Sequence, residues 1–232
     1  MDGDKISVLG HGYVMPVESW GSDEAIIQAA RMSTAKGFQG WPGDEKLLRY
    51  LWEHKHATPF EMSGMIIEVQ APIFVFREWH RHRTQSYNEM SARYTPLPDV
   101  NYIPTADRCM VVNGVNKQAN GVGAILGHSA ALRWLERLAE YYAFGQQLYA
   151  DGIDIGVPKE IARLAVPVGR YSRMRASANL RNWFAFLTLR SDYTSDGKAA
   201  QWEIRQFANV VGKLIEERFP RSFKVFSEVG HG

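Results

Sequence analysis

Apolar residues along this chain recur with two different periods, which predict a mixture of strands and helices. Met65, Ile67 and Val69 alternate as in a strand with one buried face. Ser22 precedes a helical pattern and is a preferred residue type for an N-cap. The patterns predict strands at 6–9, 13–17, 63–70 and 171–178, and helices at 23–35, 44–54, 72–81, 124–149, 158–167, 179–189 and 199–219.

The order of these elements distinguishes the mixed fold classes. Strands and helices follow one another without the regular βαβ rhythm of a doubly wound sheet, so we predict an α+β fold: a mixed α/β layer with a mostly antiparallel sheet packed by helices. With 232 residues and no internal repeat, residues 1–232 are expected to form a single domain. The tryptophans expected in the core are those of the predicted helices, at positions 52, 79, 134, 183 and 202.

Composition and charge exclude several classes of protein. Hydrophobic residues make up 45% and charged residues 22% of the chain, unlike disordered, collagen-like or coiled-coil sequences. No apolar run approaches the ~18 residues of a membrane span, and residues 1–5 lack the pattern of a secretory signal. The net charge of +2 provides no general attraction to nucleic acid or membranes, and we expect neither as a partner. Cys109 is the only cysteine, which excludes an internal disulfide and favours a cytoplasmic location.

Arginine is twice as frequent as lysine, 18 against 9, and its planar fork suits fixed contacts to phosphates and carboxylates. Residues 77–94, REWHRHRTQSYNEMSARY, contain four arginines and two glutamates. On a regular helix Arg81 and Arg83 would point roughly 200° apart, so either the helix ends here or the two arginines serve different anions. A solvated helix end with surface ion pairs is the alternative interpretation.

A second basic cluster, residues 163–190, contains six arginines and no lysine, aspartate or glutamate. Such charges would repel one another unless anions lie between them. Carboxylates from elsewhere in the fold or from another subunit could be these anions, but we favour an anionic ligand such as a phosphate. Asn179, at a predicted helix start, would add free backbone donors to such a site.

Other motifs carry weaker signals. Histidines at 54 and 56, and at 80 and 82, have a spacing found in metal sites, but the arginines on both sides of His82 oppose a cation, so we expect no metal. The glycines of 121–127 lack the spacing and the preceding strand of a dinucleotide loop, and are expected to begin a helix. Neither Ser91 nor Cys109 has an evident base, so neither is expected to be a nucleophile.

Several segments resemble those of one enzyme family. Arg81-His82-Arg83, then seven residues and Ser91, form the pattern R-H-R-x7-S. Further segments follow in the family's order, at 56–61, 71–75, 86–94, 156–163 and 200–204. Together they resemble the flavin-dependent thymidylate synthases over roughly residues 20–225, with an interruption at 105–123.

The resemblance implies an FAD- and NADPH-dependent methyltransferase that makes dTMP from dUMP. Methylenetetrahydrofolate would donate the one-carbon unit, and NADPH, through bound FAD, would provide the hydride that completes the methyl group. Tetrahydrofolate would be released, and no enzyme cysteine would be required. The resemblance further implies a homotetramer with active sites shared between subunits.

The resemblance also assigns roles to individual residues. Positions that match flavin contacts are Thr58, Arg81, His82, Arg83, Glu89, Asn179 and Arg181. Positions that match nucleotide contacts are Glu78, Arg81, Glu89, Met90, Ser91, Ala92, Arg93, Arg163 and Arg190. Arg190 would act catalytically, because its fixed charge would stabilise negative charge on the pyrimidine as C5 becomes nucleophilic. Departures from some members are Ala185 in place of asparagine, Glu78 in place of glutamine, and a longer loop at 191–198 without a histidine.

Two other classes compete with this interpretation. Arginines interleaved with Tyr and Trp are typical of nucleic-acid-binding modules, although the near-neutral charge and the absence of a basic run oppose that class. The His-x-His pairs would fit a metal-dependent hydrolase, whose activity chelation would abolish.

Overall fold

A computed structural model of the protein describes residues 4–41, 43–110 and 126–230. The strands are β1 Ile6–Val8, β2 Gly12–Trp20, β3 Gly64–Pro72, β4 Ser86–Glu89 and β5 Tyr171–Asn179. The helices are α1 Asp23–Arg31, α2 Gly43–Glu53, α3 Ala57–Glu61, α4 Ile73–Trp79, α5 Ala106–Met110, α6 His128–Asp154, α7 Lys159–Ala162, α8 Leu180–Arg190, α9 Trp202–Arg218 and α10 Pro220–Val229. Short 3-10 turns lie at Met32–Thr34, Arg163–Ala165 and Gly197–Ala199.

Most of the predicted elements are confirmed, with errors in their lengths. The side chain of Ser22 accepts a hydrogen bond from the Ala25 N–H at 3.1 Å and caps α1, as predicted. Strand β2 runs on to Trp20 because the polar residues after Val17 still pair with β3. Pro72 is the last residue of β3 rather than part of a helix, and the helix that follows ends at Trp79 instead of Arg81.

Four short elements were not predicted. They are α3, β4, α5 and α10. The first three have four or five residues each, too few to show a period. Helix α10 begins at Pro220, directly after the helix predicted to end the chain, and buries Phe223 and Phe226. Helix α6 begins at His128 with Gly127 as its N-cap, whereas the predicted start at 124 lies outside the described residues.

The sheet confirms the predicted mixed α/β class. Its strand order is β1-β2-β3-β5-β4, and β1, β2 and β3 pair antiparallel. The register of β2 against β3 shifts between Pro16 and Glu18, where proline, which cannot donate to the ladder, is tolerated. Gly64 opens β3 where a Cβ would lie 2.5 Å from the Ala178 carbonyl oxygen of β5, so any other residue there would collide with the backbone.

The chain folds into two compact units. The first consists of Met1–Gln70, Glu78–Asn88 and Met174–Gly232, and the second of Ala71–Arg77 and Glu89–Arg173. The division between the units falls after Gln70 within β3 and after Arg173 within β5.

The core of the first unit is rich in aromatic side chains. Trp79 stacks on Phe186 with ring centroids 4.5 Å apart, and Phe184 stacks on Phe226 at 4.6 Å. The indole N–H of the buried Trp183 donates to the Met65 carbonyl of β3 at 3.0 Å. Helix α8 is therefore held between the sheet and α10, and its end, Arg190, has a fixed place.

In the second unit, a buried arginine connects the proline-rich segment to α6. Arg170 is 2% exposed, and its guanidinium donates to Asp99 at 2.8 Å, to the Pro98 carbonyl at 3.2 Å and to Gln146 at 2.6 Å. A buried arginine needs acceptors for its charge, and here both terminal nitrogens have them, whereas the buried Nε has no hydrogen-bond partner among the described residues.

The prediction of core tryptophans holds for three of the five. Trp52, Trp79 and Trp183 are buried, whereas Trp134 of α6 is 51% exposed and Trp202 at the start of α9 is 37% exposed. Tryptophan occurs at surfaces where apolar contacts are made with another molecule. Among the described residues, no helix is both long and apolar enough to cross a membrane.

Candidate active site

Arg190 lies at the C-terminal end of α8, in the first unit, and binds two side chains distant in sequence. Its Nη1 donates to Oε2 of Glu78 at 3.0 Å, and its Nε donates to Nε2 of His82 at 3.1 Å. A cation is favoured at this end of a helix because the last carbonyls point towards it. The two acceptors fix the plane of the guanidinium, and the arginine side chain keeps 21% exposure.

His82 is a neutral acceptor in this arrangement. Burial, followed by the charge of Arg190, lowers its pKa from 6.5 to about 4. Its ring packs edge-on against Phe186, with centroids 4.9 Å apart. Because Nε2 accepts the hydrogen bond from Arg190, the proton of the neutral ring lies on Nδ1.

Glu78 keeps a raised pKa despite its arginine partner. Burial is the largest cause, and the negative charge of Glu203 also raises the pKa, while Arg190 and Arg81 lower it. Glu203 belongs to the first turn of α9 and is 3% exposed. The pKa of Glu78 is therefore set by burial and a second carboxylate, which raise it, against two arginines, which lower it.

Arg81, His82 and Arg83 lie in a turn that follows α4. Of the two explanations considered for Arg81 and Arg83, the structure confirms that the helix ends before them. The helix ends at Trp79, and the Arg81 and His82 N–H groups donate to the carbonyls of Glu78 and Trp79. The hydroxyl of Tyr87 donates to the His82 carbonyl at 2.7 Å, and burial raises the pKa of Tyr87. Arg81 and Arg83 are exposed, and neither forms an ion pair with a described residue.

A pocket in the first unit lies between the C-terminal end of α2 and the first turns of α8. The α2–α8 pocket, of about 290 Å³, has an apolar part formed by Leu51, Trp52, Ala57, Phe60 and Ala185. Its polar part is formed by Lys55, His56, Thr84, Arg181 and Asn182. Thr84 directly follows Arg83, so the pocket is next to the turn. Apolar walls with a few polar groups are typical of ligand sites.

Two of the predicted flavin contacts have intramolecular partners in the first unit. Arg181 Nη1 donates to Glu61 Oε1 at 2.8 Å, and the Asn179 side chain accepts from the Asn182 N–H as the N-cap of α8. The cap confirms the predicted helix start at Asn179. Thr58 is exposed on α3 and does not line the α2–α8 pocket.

The second unit contains the other predicted nucleotide contacts. Arg93 Nε lies 3.5 Å from Oε2 of Glu160, and Arg163 Nε donates to the Glu160 carbonyl at 3.2 Å. The Ser91 hydroxyl accepts from the Arg93 N–H at 3.3 Å. The predicted nucleotide contacts in this unit are Glu89, Met90, Ser91, Ala92, Arg93 and Arg163. Glu78, Arg81 and Arg190 belong to the first unit.

Four of the six arginines in the 163–190 cluster have carboxylate partners elsewhere in the fold, which was the alternative explanation, and an anionic ligand for the cluster stays a prediction. Carboxylates of the same chain pair with Arg170, Arg175, Arg181 and Arg190, and these carboxylates belong to Asp99, Glu68, Glu61 and Glu78. The acids come from segments far away in sequence, so the composition of residues 163–190 alone could not reveal them. Arg163 and Arg173 are exposed and pair with no described carboxylate.

Sequence reasoning missed three residues of these sites. Glu203 influences Glu78 from a different helix, Glu160 is the partner of Arg93, and Lys55 lines the α2–α8 pocket. Lys55 has a positive backbone φ of 58°, which neither the composition nor the hydrophobic period of the sequence could predict. Within the described residues, no three His, Cys, Asp or Glu side chains are grouped as metal ligands would be.

The first unit combines an antiparallel sheet and helices with charged arginines beside a pocket, an arrangement suited to binding an anionic ligand. Comparison with known families identifies the class of protein. The sequence profile of the family described as thymidylate synthase complementing protein matches residues 17–221. This chain therefore belongs to the family of flavin-dependent thymidylate synthases.

Similar proteins span almost the whole chain. A flavin-dependent thymidylate synthase of Thermus thermophilus is 40% identical over 223 residues, which cover 96% of this chain and 78% of the relative. One from Thermosipho melanesiensis is 36% identical over 222 residues, covering 96% and 93%. A crystal structure of the UMP/dUMP methylase PolB from Streptomyces cacaoi, bound with 5-Br UMP, has a TM-score of 0.81 at 32% identity and covers 95% of both chains. A second structure of that enzyme is bound with 5-Br dUMP and has a TM-score of 0.82 at 31% identity, covering 96% of this chain and 97% of the other.

Proposed function

We propose that this protein methylates dUMP reductively to dTMP. Methylenetetrahydrofolate is the one-carbon donor, NADPH with bound FAD provides the hydride, and tetrahydrofolate is released. Membership of the family supports the reaction, and the 5-Br dUMP bound to a similar structure supports the nucleotide. The observation that carries the proposal is the geometry of Arg190, whose charge is held in a fixed plane by Glu78 and by a neutral His82.

The α2–α8 pocket fits the ring system of a flavin. Trp52, Phe60 and Ala185 offer an apolar surface, and the Arg181 guanidinium, paired with Glu61, lies among the polar groups. Arg83, exposed and unpaired among the described residues, adds a positive charge beside Thr84. When FAD is bound, it supplies the hydride that completes the methyl group. Thr58, Arg81, His82, Glu89 and Asn179 complete the proposed flavin contacts.

Each of the two units contains residues that we propose to contact the nucleotide. Arg190 faces the uracil and stabilises negative charge on the ring as C5 becomes nucleophilic. His82, with a pKa of about 4, does not add a second charge there at neutral pH and keeps accepting from Arg190. The proposed nucleotide contacts in the other unit, Ser91, Arg93 and Arg163 among them, offer hydroxyl and guanidinium donors suited to a phosphate.

A homotetramer is the proposed assembly, with active sites shared between subunits. Helix α6 supports it, since Trp134, Tyr141, Phe144 and Leu148 are all more than half exposed and, at intervals of seven, three and four, lie along one stripe. The mass in light scattering should be close to four chains, and Phe144→Glu should reduce it. Mixing Arg190→Ala protein with Arg163→Ala protein should restore activity if one site takes residues from two subunits. The cytoplasmic location remains a prediction.

UMP is a second candidate substrate. The enzyme in the similar crystal structures is named a UMP/dUMP methylase, and one of those structures is bound with 5-Br UMP. If this protein methylates UMP, the product would be 5-methyl-UMP. Parallel assays with dUMP and UMP at equal concentration decide between the nucleotides.

The test of the main proposal has two stages. The anaerobic visible spectrum of the purified protein, reconstituted with FAD, should bleach on addition of NADPH, and dUMP with methylenetetrahydrofolate should then restore the oxidised spectrum and yield dTMP. Protein that binds no FAD and yields no methylated nucleotide would refute the proposal. An oligonucleotide-binding assay and a chelation test would then address the two competing classes.

A further inference from the structure

Helix α2 ends in a hydrogen-bonded motif that normally requires glycine. The His56 N–H donates to the Leu51 carbonyl at 2.8 Å and the Lys55 N–H donates to the Trp52 carbonyl at 3.0 Å, which together form a Schellman motif. The residue after the C-cap is left-handed in this motif, and here it is Lys55, with a φ of 58°. Glycine is favoured there because it has no Cβ to collide with the backbone.

The same lysine lines the α2–α8 pocket. It stands next to His56, whose ring lies 5.7 Å from that of Tyr50. No aspartate or glutamate is among the described residues that line the pocket, and the described part of the chain provides no carboxylate partner for the Lys55 ammonium. The positive charge of Arg181 is balanced by Glu61, so of the lysine and arginine that line the pocket, Lys55 is the one available to an external anion.

The size of the pocket limits what can lie inside it. About 290 Å³ accommodates a ring system, but is too small for a whole dinucleotide or a whole folate. A ligand with a ring on the apolar floor and a charged tail must therefore extend its tail past the polar rim, where Lys55 is exposed.

A lysine that serves only solubility could occupy any exposed position without strain. Lys46, for example, is exposed on the same helix in ordinary helical geometry and does not line the pocket. Lys55 instead maintains a backbone conformation that a side chain makes unfavourable, and residues held in such conformations are concentrated at ligand sites.

We propose that Lys55 binds the anionic tail of the ligand whose ring occupies the α2–α8 pocket. The proposal deepens the proposed function, because it names a further contact of that same site. With dUMP proposed to lie at Arg190, the two candidates for this tail are the phosphates of FAD and the glutamyl carboxylates of the folate. Both are oxygen anions that an ammonium group binds.

The test compares four variants with the wild-type protein. Lys55→Gly removes the charge and the backbone strain together, and Lys55→Arg keeps the charge. Lys46→Met removes a charge from the same helix away from the pocket, and Ala35→Gly relieves a left-handed φ of 51° at a residue that does not line it. The measured quantities are the Kd of FAD for the apoprotein, the KM of folates with one and with five glutamates, and Tm.

Lys55→Gly should raise Tm, as Ala35→Gly should, and should nevertheless weaken one ligand by about three- to tenfold. A higher Kd for FAD would assign Lys55 to the phosphates. A KM increase that is larger for the pentaglutamate would assign it to the folate tail. Lys55→Arg and Lys46→Met should stay near wild type.

The proposal is overturned if Lys55→Gly leaves all three ligand constants within twofold of wild type, or if Lys46→Met changes them as much. The Kd of FAD is measured without turnover. A wild-type protein that binds FAD but forms no dTMP would therefore refute the proposed function, while the Kd of FAD for Lys55→Gly would still test the role of Lys55. A wild-type protein that binds neither FAD nor folate refutes both.

Discussion

Arg190 and Glu78 form an ion pair, with Nη1 3.0 Å from Oε2, although the pKa of Glu78 lies above its ordinary value. An arginine partner alone would lower that pKa, so burial and the nearby Glu203 outweigh it. The ion pair is consequently easier to break by protonation than an exposed one. This makes the orientation of Arg190 sensitive to pH.

Glu78→Gln should therefore change the pH profile of the enzyme. As pH falls, the raised pKa means that Glu78 takes up its proton earlier than an ordinary glutamate, Arg190 loses its counter-charge, and kcat/KM should decline. Glutamine lacks this titration, so the variant should show a flatter acid limb and about three- to tenfold lower kcat/KM near neutral pH. An unchanged acid limb in the variant would show that another group controls it.

Arg190 is expected to act on the chemistry rather than on flavin binding. Arg190→Ala should lower kcat by about 10²–10³-fold, because a charge aimed at the developing anion is lost, while the flavin content stays normal. Arg190→Lys should recover only part of the rate, since lysine cannot donate to Glu78 and His82 with one planar fork. The rate of dTMP formation and the flavin-to-protein ratio check this. The control is Arg205→Ala on α9, a variant that loses the ion pair of Arg205 with Asp192.

Arg83 is expected to act on flavin binding. It is exposed, forms no ion pair with a described residue and precedes Thr84 of the α2–α8 pocket. Arg83→Ala should raise the Kd of FAD by about tenfold through the loss of one charge-assisted contact, with little change in nucleotide binding. Fluorescence titration of the apoprotein measures the first constant and calorimetry with dUMP the second. A normal flavin content would refute the assignment.

The buried His82 predicts how stability depends on pH. Its folded pKa of about 4 lies below the ordinary 6.5, so between these values the unfolded chain binds more protons and stability is lost as pH falls. After allowance for partial exposure we expect a loss of about 1–2 kcal/mol across this window. His82→Gln should remove that part of the slope in urea unfolding. Equal slopes for the two proteins would contradict a buried neutral histidine.

Asp23 joins the beginning of α1 to α10 in the first unit. Its carboxylate accepts from the Arg221 N–H at 2.8 Å, the Ser222 N–H at 3.0 Å and the Ser222 hydroxyl at 2.6 Å, and the residue is 8% exposed. Asp23→Ala leaves these donors unpaired and should lower the free energy of unfolding by about 2–3 kcal/mol. Asp23→Asn keeps one acceptor oxygen and should cost less. Chemical denaturation measures the free energy of unfolding of the three proteins, which should decrease from wild type to Asp23→Asn to Asp23→Ala.

Much of the local structure could be predicted from the sequence, because its causes lie within a few residues. Ser22 and Asn179 cap the helices that follow them, and the alternation of Met65, Ile67 and Val69 predicts β3. The R-H-R-x7-S pattern and its flanking segments were enough to indicate the family, which the comparisons confirm. α3, β4 and α5 escaped prediction because four or five residues are too few to show a period, and α10 escaped because it directly follows the predicted last helix.

The partners of the charged side chains were decided only by the tertiary structure. Arg190 is more than 100 residues from Glu78 and His82, and the carboxylates that neutralise the 163–190 cluster come from four other segments. Sequence alone determined the helix caps, the strand period and the family motif, because neighbours along the chain create them. Ion pairs and shifted pKa values depend instead on which distant segments come into contact when the chain packs. The left-handed conformation of Lys55 depends on how the chain turns after α2.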